Sequence, residues 1–262
     1  MKKILIFIFG RKSKIIKSLV VINNSFVTLK KILPLIRSNK LKFILKTIKG
    51  HNYVEFQPNI DNEKIYFKNK YQFNYDDWFT TKISILIYYL NNYKFDYEIN
   101  ALEIGSFEGR SSVFFVNYFE NINITCVDTW KKSEEEADKK MQELIDFRLV
   151  EKNFDNNTKL YRDKIKKYKG TSKEFFTNIN PKNLDFIFID GSHDYEDVIH
   201  DATASFKSLK EGGFILFDDL NWFYYEDIKK NPSYAINKFL ETFKNQIEII
   251  FASDQLLIKK KF

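Results

Sequence analysis

The sequence predicts an α/β protein built on a mostly parallel, doubly wound sheet, and three observations carry that prediction. The apolar run Ile99–Ile104 ends in Gly105, an apolar helical pattern starts after Gly109, and the β-branched stretch Ile122–Asp128 closes on an acid. Strand, glycine turn, helix, strand and acid together make a βαβ unit. Further on, Leu184–Asp190 is a continuous apolar run of the kind a strand buried on both faces presents, and a helical pattern and a second such run, Phe214–Phe217, follow it. The 262 residues, 44% of them hydrophobic, fit one large α/β domain with an extension.

The extension comes first. Residues 1–50 hold 13 Lys/Arg and no Asp or Glu, which leaves 29 basic against 35 acidic residues for the remainder. The basic charge therefore belongs to the N-terminal arm, and a basic catalytic body that grips nucleic acid is not expected. Leu5–Phe9 is too short to span a bilayer, and no small-residue cleavage site follows it as in a signal peptide. From Val27 to Ile48 apolar positions recur at helical spacing between lysines, with a break near Pro34. Such a helix can cover the body of its own protein, lie on an anionic membrane surface or dock on a partner. Residues 51–75 read as a connector, and the domain boundary is placed between 73 and 74. The single cysteine, Cys126, lies in an apolar run, which suits a core residue in a reducing compartment. The expected location is the cytoplasm, with peripheral contact at a membrane surface open to the arm.

In the body, Asp76 or Asp77 can cap a helix reaching about Asn92, with Ile83, Ile85, Leu86, Tyr89 and Leu90 inside. Trp78 is either core or a wall against a ligand. Ser111–Tyr118 is the first crossover helix. A helix is expected around Glu134–Glu151, and Lys164–Tyr168 as a third strand running into Gly170-Thr171-Ser172. Ser172 is a candidate N-cap, with Glu174 too early for a capping box. A helix over Glu196–Lys210, ended by Gly212-Gly213, precedes the fifth strand. A helix after Pro232 and a hairpin from Ile247–Phe251 and Gln255–Ile258 close the chain.

Parallel α/β sheets place ligands beyond the carboxyl ends of their strands, which gathers Gly105, Asp128, Gly170, Asp190 and Asp218 along one edge. The glycines of the first turn permit close backbone approach, and the helix start offers unpaired N–H groups. The spacing is E-x-G-x-x-x-G, with Phe107 where a dinucleotide fingerprint carries glycine, so a pyrophosphate is not expected there. Asp128, about twenty residues on, can accept hydrogen bonds from ribose hydroxyls, or it is a solvated loop start. Gly170-Thr171-Ser172 can border an adenine. Asp190, Asp218 and Asp219 come from neighbouring strand ends and repel unless a cation holds them. Oxygen-only ligands suit a hard divalent ion, Mg²⁺ first, although acids at strand ends also simply stay hydrated. His193, three residues after Asp190, can reach the same cleft and serve as a general base. His51 and His200 have no such neighbours.

Together these residues resemble a class I S-adenosylmethionine-dependent methyltransferase. Leu102–Ser111 is similar to its glycine motif in the form that catechol-type O-methyltransferases carry, and Val127–Trp130 to the end of the second strand. Phe186–Tyr195, Gly212–Asp219 and Asp77-Trp78-Phe79 resemble the bacterial Methyltransf_24-like group. The resemblance covers roughly residues 74–260. It implies a Rossmann-like seven-stranded sheet with an antiparallel last strand. It also implies Glu103, Gly105, Ser106 and Gly109 around the methionine part of the cofactor and Asp128 on its ribose. Phe107, Arg110, Ser111, Thr129, Trp130 and Asp190 complete the cofactor set, and Gly170, Thr171 and Ser172 lie near the adenine. In the metal-dependent members, acids matching Asp190, Asp218 and Asp219 hold Mg²⁺, and a histidine matching His193 is the base. Catechol-type enzymes have Asn at the position of Asp219 and a lysine base, a departure that favours a sugar-type acceptor. The expectation is an O-methyltransferase, Mg²⁺-dependent, acting on a sugar, glycan or other small hydroxyl-bearing molecule. The alternatives are a metal-independent N- or nucleic-acid methyltransferase and a non-catalytic cofactor-binding scaffold recruited through the basic arm. No Asn/Asp-Pro-Pro-Tyr-type motif follows the fourth strand, which counts against nucleic acid.

Overall fold

The structure is a computed structural model that describes residues 67, 71–133, 142–220, 222, 225 and 227–262. The expected arm helix at Val27–Ile48, His51, most of the connector and the start of the helix at Glu134 lie outside the described residues. Among those described, seven strands form one sheet in the order β3-β2-β1-β4-β5-β7-β6. They are β1 (Ile99–Ile104), β2 (Ile122–Asp128), β3 (Ile165–Lys169), β4 (Leu184–Ile189), β5 (Leu209–Phe217), β6 (Ile247–Ala252) and β7 (Leu256–Lys260). The first five pair in parallel, and β7 inserts antiparallel between β5 and β6. The helices are α1 (Ile83–Leu90), α2 (Arg110–Tyr118), α3 (Phe147–Thr158), α4 (Ser172–Asn178), α5 (Tyr195–Ser208) and α6 (Pro232–Thr242).

Side chains alternate across each strand, so the sheet has two cores. Ala101, Ile124, Cys126, Phe186, Phe188 and Leu216 face one layer with α1, α2 and α3. Leu102, Ile104, Ile187, Ile189, Ile215 and Phe217 face the other with α5 and α6. Glu103 is the charged residue among the apolar ones of β1, and it is fully buried. Polar cost at that position is accepted for a reason the site supplies.

Several expected boundaries move. The helix expected from Asp76 begins as a 3₁₀ turn, Thr80–Lys82, and becomes α-helical only over α1. Asp77 Oδ1 still accepts the Phe79 and Thr80 N–H groups, at 3.1 and 2.9 Å. Of the helix expected around Glu134–Glu151, the described part includes α3, which starts at Phe147, where the Asp146 carboxylate accepts the Arg148 N–H. The third strand is shifted by one residue and α5 ends two residues early. Gly212-Gly213 ends no helix: β5 already starts at Leu209, and a Cβ on Gly213 would lie 2.9 Å from Leu209 and 3.1 Å from the Asp185 carbonyl. Thr171, not Ser172, is the N-cap of α4, and with that frame Glu174 does close a capping box.

Candidate active site

The glycine turn is held by backbone geometry. Gly105 has φ +86°, and a Cβ there would stand 1.8 Å from the Asp190 carbonyl oxygen. Glycine is needed because the exit of β4 passes against it, whereas the sequence assigned that freedom to ligand approach. Gly109 has φ +80° and precedes α2, with Phe154 of α3 3.1 Å from where its Cβ would be. Ser106 and Phe107 N–H both donate to Asp128 Oδ2 at 2.9 Å, and Trp130 N–H donates to Oδ1 at 2.7 Å. Asp128 thus ties the ends of β1 and β2 together, with acceptor capacity left for a ligand hydroxyl. Burial pushes its carboxyl above the ordinary range against those three donors. The buried Trp130 ring packs on Phe154 and its Nε1 donates to the Phe107 carbonyl, so it shapes the turn from behind. Thr129 Oγ1 accepts the Lys131 N–H.

Beneath the turn, Glu103 Oε2 accepts a short hydrogen bond from Ser112, while Glu103 Oε1 and Ser106 Oγ are buried without a partner among the described residues. Burial raises the Glu103 carboxyl, outweighing the polar groups of Ser111, Ser112, Cys126 and Ser106 around it. An unpartnered buried acceptor is costly unless a ligand donor meets it. The ammonium of an amino acid moiety is a donor of the kind that would meet that need. Arg110 pairs with Asp77 at 3.1 Å and lies over Phe73. Gly170 N–H donates to the Asp128 carbonyl, and Thr171 is engaged in the cap of α4. This places the third-strand end beside the second, on the same sheet edge.

Glu108 was not singled out in the sequence. It is buried, and its carboxylate accepts the Asn74 and Tyr75 N–H groups and the Asn153 side-chain amide. It pins residues 72–75 across the turn, helped by Asn157, which bonds both ways with Gln72. The available signal was an acid inside the loop just before Gly109. Trp78 is 51% exposed and leans on Phe107, so it lines the mouth of the turn instead of the core.

At the ends of β4 and β5, Asp190, Asp218 and Asp219 each offer an oxygen, all within 4.8 Å of one another. Asp218 Oδ1 accepts from Gln255 Nε2 at 2.6 Å, and Asp218 Oδ2 holds a short ion pair with Lys82 Nζ. His193 Nε2 stands 3.2 Å from Asp219 Oδ2, and its ring stacks on Trp222 with centroids 4.3 Å apart at 10°. Tyr225 packs on Trp222 and donates to Asp194 Oδ1. Burial first, then its two acidic neighbours, lift the Asp190 carboxyl well above the usual range. Burial and Asp219 push Asp218 up to about 6, against Lys82 and Gln255. Burial opposes ionisation of Asp219, yet the hydrogen bond and charge of His193 hold it below the ordinary value. Burial likewise opposes the Lys82 charge, and the pull of Asp218, Asp190 and Asp219 prevails and raises it. Three convergent oxygen donors fit a hard divalent ion. Lys82, from the turn before α1, was not foreseen, because no local pattern marks a lysine whose partner is 136 residues away.

Residues 102–220 match the model of the Methyltransf_24 family, described as a methyltransferase domain. The uncharacterized protein R132 of Acanthamoeba polyphaga mimivirus is 28% identical over 146 residues, which is 55% of this chain and 60% of that protein. Among solved structures, the MycE methyltransferase from the mycinamycin biosynthetic pathway, in complex with Mg and SAH, superposes with a TM-score of 0.52 at 15% identity. The match covers 87% of this chain and 64% of MycE. Its complex with Mg, SAH and mycinamycin VI gives 0.51 at 15% identity, over 90% of this chain and 63% of that one. At that identity the likeness is one of fold, and this chain spans less than two thirds of the length of these relatives.

Proposed function

We propose that this chain, whose residues 102–220 match the model of a methyltransferase domain, is an S-adenosylmethionine-using, divalent-cation-dependent O-methyltransferase whose acceptor is a sugar, a glycan or another small hydroxyl-bearing molecule. The observation that carries this reading is the convergence of Asp190, Asp218 and Asp219 beside His193, on the sheet edge that also holds the glycine turn. A fold relative in complex with Mg, SAH and mycinamycin VI supports it.

Asp190, Asp218 and Asp219 would hold the ion. A bound Mg²⁺ lowers the pKa of a hydroxyl placed on it and fixes its orientation. The chain's own residues do the rest. Glu103 and Ser106, short of donors, seat the amino acid end of the methyl donor, and Asp128 offers acceptor capacity to its ribose. His193 is positioned to take the hydroxyl proton at its imidazole. The Trp222 stack holds the ring in plane, and the low-lying Asp219 carboxylate stabilises the imidazolium that results. Trp78, Trp222 and Tyr225 present aromatic surface to the apolar face of a sugar or a phenolic ring.

The test is transfer of a labelled methyl group from S-adenosylmethionine to a panel of sugars, glycans and phenols, with and without EDTA. Asp190→Asn is expected to lose transfer while still binding S-adenosylhomocysteine in calorimetry. Full turnover of that variant in EDTA overturns the metal role.

A further inference from the structure

The carboxylate cluster already contains a cation of its own. Lys82 Nζ sits on Asp218 Oδ2, and among the described residues the other basic group on the cluster is His193. The other oxygen of Asp218, Oδ1, is engaged by Gln255 in a buried hydrogen bond, so Oδ2, which carries the ammonium, is the oxygen a competing cation has to share. Lys82 is also held in place from behind. It ends the Thr80–Lys82 turn, whose start is fixed by Asp77, and it precedes Ile83, Leu86 and Leu90, which are fully buried. The base of the side chain is rigid, and only its methylene stem can swing.

We propose that Lys82 is the resident counter-cation of this cluster, and that a divalent ion gains its Asp218 ligand only by displacing the lysine ammonium. This rests on the metal half of the function proposed above. The protein then has two mutually exclusive occupants of one carboxylate oxygen. In the lysine-in form three close acids are kept from repelling one another and the site is preformed. In the ion-in form the ammonium turns outward, toward the mouth where Trp78 lies. Ion affinity is set below that of the same three acids without the lysine, because each binding event must break an ion pair of low exposure.

The experiment uses the full chain with Mn²⁺ as a paramagnetic probe and follows free Mn²⁺ by electron spin resonance. Lys82→Met, which keeps length and loses charge, is expected to bind Mn²⁺ at least about tenfold more tightly than the unsubstituted protein. Lys82→Arg, which keeps the charge, is expected to bind no more tightly. In the unsubstituted protein, acetylation of Lys82 read by mass spectrometry is expected to be slow without an ion and faster with saturating Mg²⁺. That second measurement holds even if Lys82→Met fails to fold. Equal or weaker Mn²⁺ binding by Lys82→Met, or acetylation indifferent to a bound ion, overturns the displacement and leaves the metal reading intact. No Mn²⁺ binding by the unsubstituted protein and the variant alike overturns the metal reading, and the displacement with it.

Discussion

Glu103 sets the terms at the scale of single residues. A fully buried carboxyl with one oxygen unpartnered is held protonated to higher pH in the fold than in the open chain. Its folded pKa is raised, so its contribution to stability is full below the unfolded value, near 4.5, and is lost as pH rises through the folded one. Glu103→Gln without ligand is therefore expected to melt higher than the parent at pH 7, with the two curves converging near pH 4. A lower melting temperature at pH 7 would show that the charge is compensated. For His193, replacement by Gln keeps the stack on Trp222 partly filled but removes the base. The expected result is a fall in kcat of about 10² to 10⁴ with the Kd for S-adenosylhomocysteine unchanged. A loss confined to cofactor affinity would remove the base from the mechanism. The acids and His193 were legible in the sequence because each stands next to its own strand end, where a parallel sheet exposes what it carries. Lys82 and Glu108 were not. Their partners, Asp218 and the backbone of residues 74–75, are set by tertiary packing and leave no spacing to read.

Among the elements, the segment before α1 does more than connect. Residues 72–75 lie across the glycine turn through Glu108, Asn153 and Asn157, and residues 77–82 continue to Arg110 and Asp218. One stretch thus touches both the donor turn and the acid cluster. Glu108→Ala is expected to raise hydrogen exchange of the 74 and 75 amides by at least about tenfold, with β4 and β5 unaffected. Uniform loss of protection across the sheet would instead mark Glu108 as a general stability residue. At the other side of the edge, Thr171→Ala removes a capping box and is expected to cost about 1 kcal/mol, read from denaturant midpoints. The strands themselves were readable from their apolar runs, since burial on both faces leaves little ambiguity. The boundaries that moved did so where a cap or a close contact decided them. Thr171 starts α4, and the space left at Gly213 lets β5 begin early. These are local choices among several polar or glycine candidates, and periodicity does not rank them.

For the whole molecule, charge is divided between the basic first fifty residues and a slightly acidic remainder. An arm acting at an anionic bilayer would bring the full chain down with phosphatidylserine-containing vesicles at low salt and release it as ionic strength rises. Failure to cosediment at low salt would end that role. The glycine turn and the acid cluster lie on one edge of a single sheet, so on the proposed function the binding of methyl donor and ion is expected to add in a thermal-shift titration. Each ligand at 100 times its Kd contributes about 2.7 kcal/mol. An unchanged melting temperature with Mg²⁺, alone and beside S-adenosylhomocysteine, would separate the cluster from the metal. The contact at Gly105 carries a last consequence. Main chain meets main chain there, with no side chain between, and so the spacing from the glycine turn to the acid-bearing strand is built into the scaffold. If the proposed transfer holds, redesign of the aromatic mouth for a different alcohol can proceed by swapping side chains alone, since that backbone spacing is not theirs to alter.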